Sequence, residues 1–179
     1  KLDVEINSIA IGLDGTCMLL CDTGWREAMV GTVSLYDTQG ERQHTIYIGA
    51  TPEYGKAIFL ERLEREIQRT KERYPKATYI GIADGAASNW QFLQSHTHEQ
   101  ILDFYHASGY LGAVAVALYP EDLAKQKQWL TQSCHQLKHN SGAAPQLYQQ
   151  MLKLSASQNH SKMIQENLDA AVTYFCNHL

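Results

Sequence analysis

Two aspartates in this sequence each end a run of apolar residues and each precede a glycine. Asp14 ends the run in "SIAIGLDGT", and Asp84 ends the run in "YIGIADGAASNW". Two carboxylates brought together repel each other unless a cation or a proton lies between them. Mg²⁺ and Mn²⁺ prefer oxygen ligands of this kind. The pattern predicts that Asp14 and Asp84 bind Mg²⁺ or Mn²⁺, with Gly15 and Gly85 leaving room for a phosphate backbone.

Each aspartate also has an ordinary structural interpretation. Asp-Gly is a common turn dipeptide, so Asp14 could begin a turn. Asp84 could cap a short helix over residues 88–95. Either motif alone favours the structural interpretation, whereas two such motifs, each at the end of an apolar strand, favour a shared site.

The strands that must position these residues are indicated by apolar runs. Strands are predicted over residues 8–13, 28–36 and 43–49, and an extension of the first strand through "CMLLC", residues 17–21, stays open. The polar turn "DTQGE" joins the second and third strands into an antiparallel hairpin. A fourth strand, "ATYIGIAD", is near-continuously apolar, which is typical of a central parallel strand. Ligands gather at the carboxyl ends of parallel strands, so Asp14 and Asp84 are expected at one edge of the sheet.

Helices complete the predicted fold. A long amphipathic helix is predicted from a cap at Thr51, with Pro52 in its first position and Pro75 after its end. A short helix and a short strand over residues 100–103 follow Asp84, and the remainder reads as helical. The predicted order is β-β-β-α-β-α-β followed by helices. This order is typical of an α/β fold with a mixed sheet and helices on its faces.

The segment "LDFYHA" adds Asp103 and His106 at the end of the short strand. One interpretation places them beside the metal site or in contact with DNA. The other makes Asp103 a helix N-cap and His106 a partly buried side chain with a backbone partner. The second interpretation is favoured over direct metal binding, and a position next to the site stays open.

The amino-acid composition excludes several classes of protein. The 179 residues carry a net charge of −4 and are 44% hydrophobic, which excludes a disordered chain and a free-standing basic nucleic-acid binder. The absence of a membrane-length apolar run predicts no membrane partner. Four unpaired cysteines predict reduced thiols in a cytoplasmic protein, with Cys17 and Cys21 in the core. Trp25 and Trp90 are predicted to be packing anchors.

Four segments in order, "IGLDGT", "GWREAMVGTVSLY", "YIGIADGAASNW" and "QILDFYHASGYL", resemble the catalytic core of DDE transposases from bacterial insertion sequences. The similarity is to the Kra-type group, which is related to mutator-like transposases. It implies an RNase H-like catalytic core over residues 1–118 and a helical insertion over residues 119–179. It also implies metal-dependent DNA strand cleavage and transfer, with transposon ends and target DNA as partners and a homo-oligomer in the full-length protein.

The same resemblance makes Asp14 and Asp84 the first two acidic residues of the family's triad. The third is usually a glutamate on a helix after the insertion. Neither Glu121 nor Glu166 has the expected surroundings. The chain lacks an initiator methionine and stops within a helical pattern, so it is predicted to be a fragment with an incomplete triad.

Two other functions fit parts of the sequence. A sugar-kinase or actin-like ATPase shares an RNase H-like core, and "LDGTCMLLCDTG" could imitate its first phosphate loop. The lack of a second glycine-rich loop and of an adenosine motif opposes this alternative. A non-catalytic RNase H-like scaffold from a degenerate transposase is supported by the missing third carboxylate and opposed by the intact aspartate pair.

Overall fold

The computed structural model describes residues 4–22, 24–51, 55–157 and 160–178. Within these ranges the chain forms a mixed α/β structure. The strands are β1 (Ile6–Leu20), β2 (Gly24–Asp37), β3 (Arg42–Ala50), β4 (Thr78–Ala83) and β5 (Glu99–Leu102). The helices are α1 (Gly55–Arg73), α2 (Ala87–Gln94), α3 (Phe104–Leu118), α4 (Leu123–His139), α5 (Ala143–Ser155) and α6 (Lys162–Asn177). The predicted order of elements is confirmed.

The five strands form one mixed sheet in the order β3-β2-β1-β4-β5. β1 pairs antiparallel with β2, and β2 pairs antiparallel with β3. β1 pairs parallel with β4, and β4 pairs parallel with β5. The predicted hairpin and the predicted mixed sheet are both confirmed. None of the helices in the described ranges is long and apolar enough to cross a membrane.

The chain divides into two compact units, residues 1–102 and residues 103–179. The core of the first unit lies between α1 and the sheet, where Phe59, Leu63 and Ile67 are fully buried. Gly31 of β2 permits the close approach, because a Cβ there would lie 3.1 Å from Cζ of Phe59. Pro52, the predicted first helical residue, lies outside the described residues, and α1 as described begins at Gly55.

β1 and β2 extend beyond the other strands as a two-stranded ribbon of residues 14–20 and 24–28. Pairing of β1 with β4 stops at Leu13, and pairing of β2 with β3 stops at Met29. The ribbon is continuous in register, and Leu19 pairs with Trp25 at its far end. β1 therefore continues past residue 13, and the extension through residues 17–21 that the sequence left open is present as far as Leu20.

Two predictions about the burial of side chains on or next to the ribbon are wrong. Trp25 is 67% exposed and so does not anchor the core, and the thiols of Cys17 and Cys21 are exposed. The physical reason is that neither β3 nor β4 continues beside these residues. Trp90, in α2, is partly buried and packs against the core of the first unit, as predicted.

The second unit consists of α3 to α6 around a separate apolar core. Its fully buried side chains include Leu111, Met151 and Leu168. The division predicted at residue 118 grouped α3 with the sheet, whereas α3 packs with α4 and α6. The helix breaks predicted near Pro120 and in residues 139–145 are present.

One further break, between α5 and α6, was not predicted. A serine side chain forms a hydrogen bond at each end of this break. Ser157 donates a hydrogen bond from Oγ to the Leu154 carbonyl oxygen at 2.7 Å. Ser161 caps α6 by accepting a hydrogen bond from the Ile164 amide at 3.4 Å. Such side-chain bonds compete with helix continuation and satisfy the exposed amides of a new helix.

Candidate functional site

The parallel register of β1 and β4 brings the two predicted site aspartates to neighbouring positions. Leu13 and Ala83 form the last paired position between these strands, and Asp14 and Asp84 are the next residue on each. Neighbouring strands in a sheet lie about 4.8 Å apart. The backbones that carry the two carboxylates are therefore side by side at one edge of the β1–β4 pairing.

Asp14 does not begin a turn. It lies within β1, is exposed and pairs with Val30 of β2. Its Oδ1 accepts a hydrogen bond from the adjacent Gly15 amide at 2.7 Å. Because Leu13 is buried and side chains alternate along a strand, Asp14 projects from the opposite face of the sheet. The structural interpretation as a turn residue is therefore wrong for Asp14.

Asp84 is half-buried in the loop that joins β4 to α2. Its Oδ1 accepts hydrogen bonds from the Ala86 amide at 3.0 Å and from Nδ2 of Asn89 at 3.3 Å. The N-cap of α2 is Ala86 rather than Asp84. Asp84 therefore organises the loop before the helix without being its cap. Gly85 adopts a φ of 106°, a conformation that favours glycine.

A lysine and two residues of α2 form a hydrogen-bonded network beside Asp84. Lys56, near the start of α1, donates hydrogen bonds from Nζ to Ser88 Oγ at 3.0 Å and to Asn89 Oδ1 at 3.3 Å. Only 3% of Asn89 is exposed, and its amide links Lys56 to Asp84. Sequence reasoning missed this network. Ser88 and Asn89 stand inside the quoted motif, but Lys56 belongs to no motif and comes close only through packing of α1.

Gly15 lies beside the side chain of Glu27 in the ribbon. A Cβ at Gly15 would lie 2.5 Å from Oε1 of Glu27, which belongs to β2. The missing side chain therefore accommodates the Glu27 carboxylate across the ribbon. That Gly15 leaves room for a phosphate backbone stays a prediction, because the Glu27 carboxylate is the end of a flexible, exposed side chain.

Asp103 and His106 lie in the second unit and interact with each other. Oδ1 of Asp103 accepts a hydrogen bond from the Tyr105 amide at 3.0 Å, which confirms Asp103 as the N-cap of α3. Oδ2 of Asp103 lies 2.8 Å from Nδ1 of His106. The expectation of a partly buried His106 is wrong, because its ring is exposed, and the described contact of the ring is with a carboxylate.

The donor chemistry of the aspartate pair suits a hard cation, although the protein ligands are few. In the part of the chain that the structure describes, no group of three or more His, Cys, Asp or Glu side chains is placed to hold a metal ion. Mg²⁺ commonly keeps several waters and is bound through one or two carboxylates together with substrate phosphates. Asp14 and Asp84, at neighbouring backbone positions, match the number of carboxylates in that mode of binding.

Comparison of the chain with protein-family models, with curated proteins and with solved structures gave no significant match. The functional interpretation therefore depends on the geometry of the described residues and on the sequence motifs.

Proposed function

We propose that this chain is the RNase H-like catalytic core of a DDE-type transposase, which cleaves DNA and transfers the cut strand in a metal-dependent reaction. The observation that supports it most is the parallel register of Leu13 with Ala83, because Asp14 and Asp84 follow directly. The five-stranded mixed sheet and the order β-β-β-α-β-α-β support the RNase H-like fold that the sequence resemblance implies.

The roles of the residues follow from the chemistry of phosphoryl transfer. Mg²⁺ or Mn²⁺, when bound, would supply activation of an attacking water or 3′-hydroxyl and stabilisation of the leaving oxygen. Asp14 and Asp84 would hold the metal through their carboxylates. The Ala86 amide and the Asn89 side chain hold Oδ1 of Asp84 in place. A carboxylate whose orientation is set before binding loses less conformational freedom when a ligand arrives.

Binding of Mn²⁺ to the purified chain, followed by electron paramagnetic resonance, tests the proposal. We expect Asp14→Asn and Asp84→Asn each to weaken Mn²⁺ binding by at least about tenfold, since each removes one anionic ligand. Asp22→Asn is the matched control, because Asp22 is an exposed aspartate near the tip of the ribbon. Unchanged Mn²⁺ affinity in both site variants, with circular dichroism spectra like the wild type, would overturn the proposal.

Cleavage is the second readout. We expect Asp14→Ala and Asp84→Ala to abolish Mn²⁺-dependent DNA strand cleavage by the full-length protein without loss of folding. Transposon ends and target DNA are the proposed substrates, and the active form is proposed to be a homo-oligomer. A cytoplasmic location is part of the same proposal.

A non-catalytic RNase H-like scaffold is the second candidate function. The observation that favours it is that the described residues contain no group of three possible metal ligands. This candidate predicts no Mn²⁺ binding that depends on Asp14 or Asp84. The ATPase alternative is less well supported, because Asp14 lies inside a paired strand that continues to Leu20 rather than entering a phosphate-binding loop.

A further inference from the structure

Lys56 supplies a positive charge beside the candidate site. Its half-buried side chain reaches from the start of α1 to Ser88 and Asn89 at the start of α2. The buried amide of Asn89 accepts from Lys56 through Oδ1 and donates to Asp84 through Nδ2. One neutral side chain thus separates the ammonium group from the carboxylate, and all three groups are held in a fixed relation.

In the part of the chain that the structure describes, Lys56 forms no direct ion pair, so its charge is not neutralised in that way. Among the described residues, the ion pairs are formed by other side chains. The partners of Lys56 are a hydroxyl and an amide, which hold the ammonium group without cancelling its charge. An ammonium group has three N–H donors, and these two bonds use two of them. The third can point to an additional acceptor.

The surroundings make an anion the expected acceptor. Residues 1–102 contain more acidic than basic side chains, so an anionic strand that approaches Asp14 and Asp84 meets unfavourable charge. A lysine next to Asp84 offsets part of that repulsion. Charge-assisted bonds from an ammonium group to phosphate are roughly twice as strong as bonds between neutral groups.

We propose that Lys56 contacts a phosphate oxygen of the DNA strand bound at the Asp14–Asp84 site, with Ser88 and Asn89 positioning its ammonium group. This inference rests on the proposed function, because it takes DNA as the ligand of that site. It adds a substrate contact from α1, an element that carries none of the motifs that led to the site.

The experiment measures binding of the chain to a fluorescein-labelled DNA duplex by anisotropy, in Ca²⁺ and over a series of NaCl concentrations. The slope of log K against log [NaCl] is negative, and the loss of one phosphate contact reduces its magnitude by about 0.9. We expect Lys56→Gln to show this decrease, since glutamine keeps a hydrogen-bonding side chain but carries no charge. Lys56→Arg should keep the wild-type slope.

Lys76→Gln is the matched control, since Lys76 is an exposed lysine in the turn between α1 and β4. It should keep the wild-type slope. Ser88→Ala should weaken DNA binding without changing the slope, because it removes a positioning partner and no charge. Thermal unfolding of each variant shows whether a loss of binding reflects a loss of folding.

Two results would overturn the role of Lys56. One is a wild-type slope in folded Lys56→Gln, and the other is no detectable binding of the duplex by the wild-type chain at low salt. Failure of the proposed function can be distinguished from failure of the Lys56 proposal. In the first case, Mn²⁺ binding does not change in Asp14→Asn and Asp84→Asn. Mn²⁺ binding that depends on both aspartates, together with a wild-type slope in Lys56→Gln, would reject Lys56 alone.

Discussion

Asn89 donates a hydrogen bond from Nδ2 to Oδ1 of Asp84 at 3.3 Å while only 3% of its own surface is exposed. The carboxylate is therefore held from within the protein by a side chain of α2. Through Oδ1, the same amide accepts from Lys56 of α1. The first turns of two helices thus determine the position of a carboxylate that follows the last residue of β4.

Replacing Asn89 tests this arrangement. Asn89→Ala leaves the Lys56 ammonium group and the Asp84 carboxylate each with one partner fewer. A lost hydrogen bond at a buried position costs about 1–3 kcal/mol, so the urea midpoint should fall. Mn²⁺ affinity should also fall, because Asp84 is less well oriented.

Asn167→Ala is the control for Asn89→Ala, since Asn167 is exposed on α6. Its urea midpoint should match that of the wild type. An unchanged midpoint in Asn89→Ala would show that the amide contributes nothing to the stability of the first unit.

A side chain at Gly31 should crowd the core of the first unit. A Cβ at this position would lie 3.1 Å from Phe59 and 3.2 Å from Leu63, both fully buried. Overpacking of this kind costs about 1–3 kcal/mol, so Gly31→Ala should lower the free energy of unfolding by that amount. Gly49→Ala is the control, because a Cβ at Gly49 has no atom within 4 Å. Equal stability of the two variants would contradict the close packing of α1 on β2.

His96 should make stability depend on pH. Burial lowers the pKa of His96 from its ordinary value of 6.5, against the opposing effect of Glu64 and with a smaller contribution from Lys71. Its Nδ1 has no hydrogen-bond partner among the described residues, and Nε2 lies 3.9 Å from Oε1 of Glu64. The folded state therefore favours the neutral ring.

The sign of the effect follows from proton binding. Below pH 6.5 the unfolded chain takes up a proton at His96 before the folded protein does, so stability should fall as the pH falls. Urea unfolding between pH 7.5 and pH 5 measures the slope, and His96→Phe should reduce it. His44→Gln, at an exposed position on β3, is the control. If the free energy of unfolding of His96→Phe shows the same dependence on pH as the wild type, groups other than His96 cause the effect.

Stability should also depend on pH in a second, more acidic range because of Asp37, the last residue of β2 before the turn to β3. Its pKa is lowered chiefly by a hydrogen bond from the Glu41 amide, and bonds from Gln39 and Gln43 act in the same direction. The contribution of Asp37 to the free energy of unfolding is fully present above pH 3.8, the ordinary pKa of an aspartate. It is lost as the pH falls below that value. Asp37→Asn should flatten the stability profile below pH 4 while leaving the profile near pH 6 unchanged.

The two tryptophans of the first unit should differ in energetic importance. Trp25 is 67% exposed on the ribbon, whereas Trp90 packs against the core. Trp25→Ala should change the free energy of unfolding by no more than about 0.5 kcal/mol, as for most surface substitutions. Trp90→Ala should cost at least about 2 kcal/mol. Similar losses in both variants would mean that the ribbon is covered in solution.

Much of the fold could be predicted because it depends on local pattern. Apolar runs with turn residues between them predicted every strand, and the spacing of Leu63 and Ile67 predicted α1. The proximity of Asp14 and Asp84 was predictable as well. Each follows an apolar strand, and parallel neighbouring strands bring such positions to the same edge of a sheet.

The environments of individual side chains could not be predicted in the same way. Trp25 and Cys17 are residue types that are common in protein cores. They are exposed here because β3 and β4 do not extend far enough to lie beside them. The role of Gly15 depends on Glu27 across the ribbon, and the role of Lys56 depends on α2. None of these partners is near in sequence.

By itself, the sequence determined the order of strands and helices and the two aspartates at the end of apolar runs. Hydrophobic periodicity and turn chemistry act over a few residues, so they can be read directly from the chain. Only the tertiary structure decided where β1 stops pairing with β4, which side chains hold Asp84, and that Lys56 lies beside it. Those relations arise from strand register and helix packing between distant segments, which no local pattern encodes.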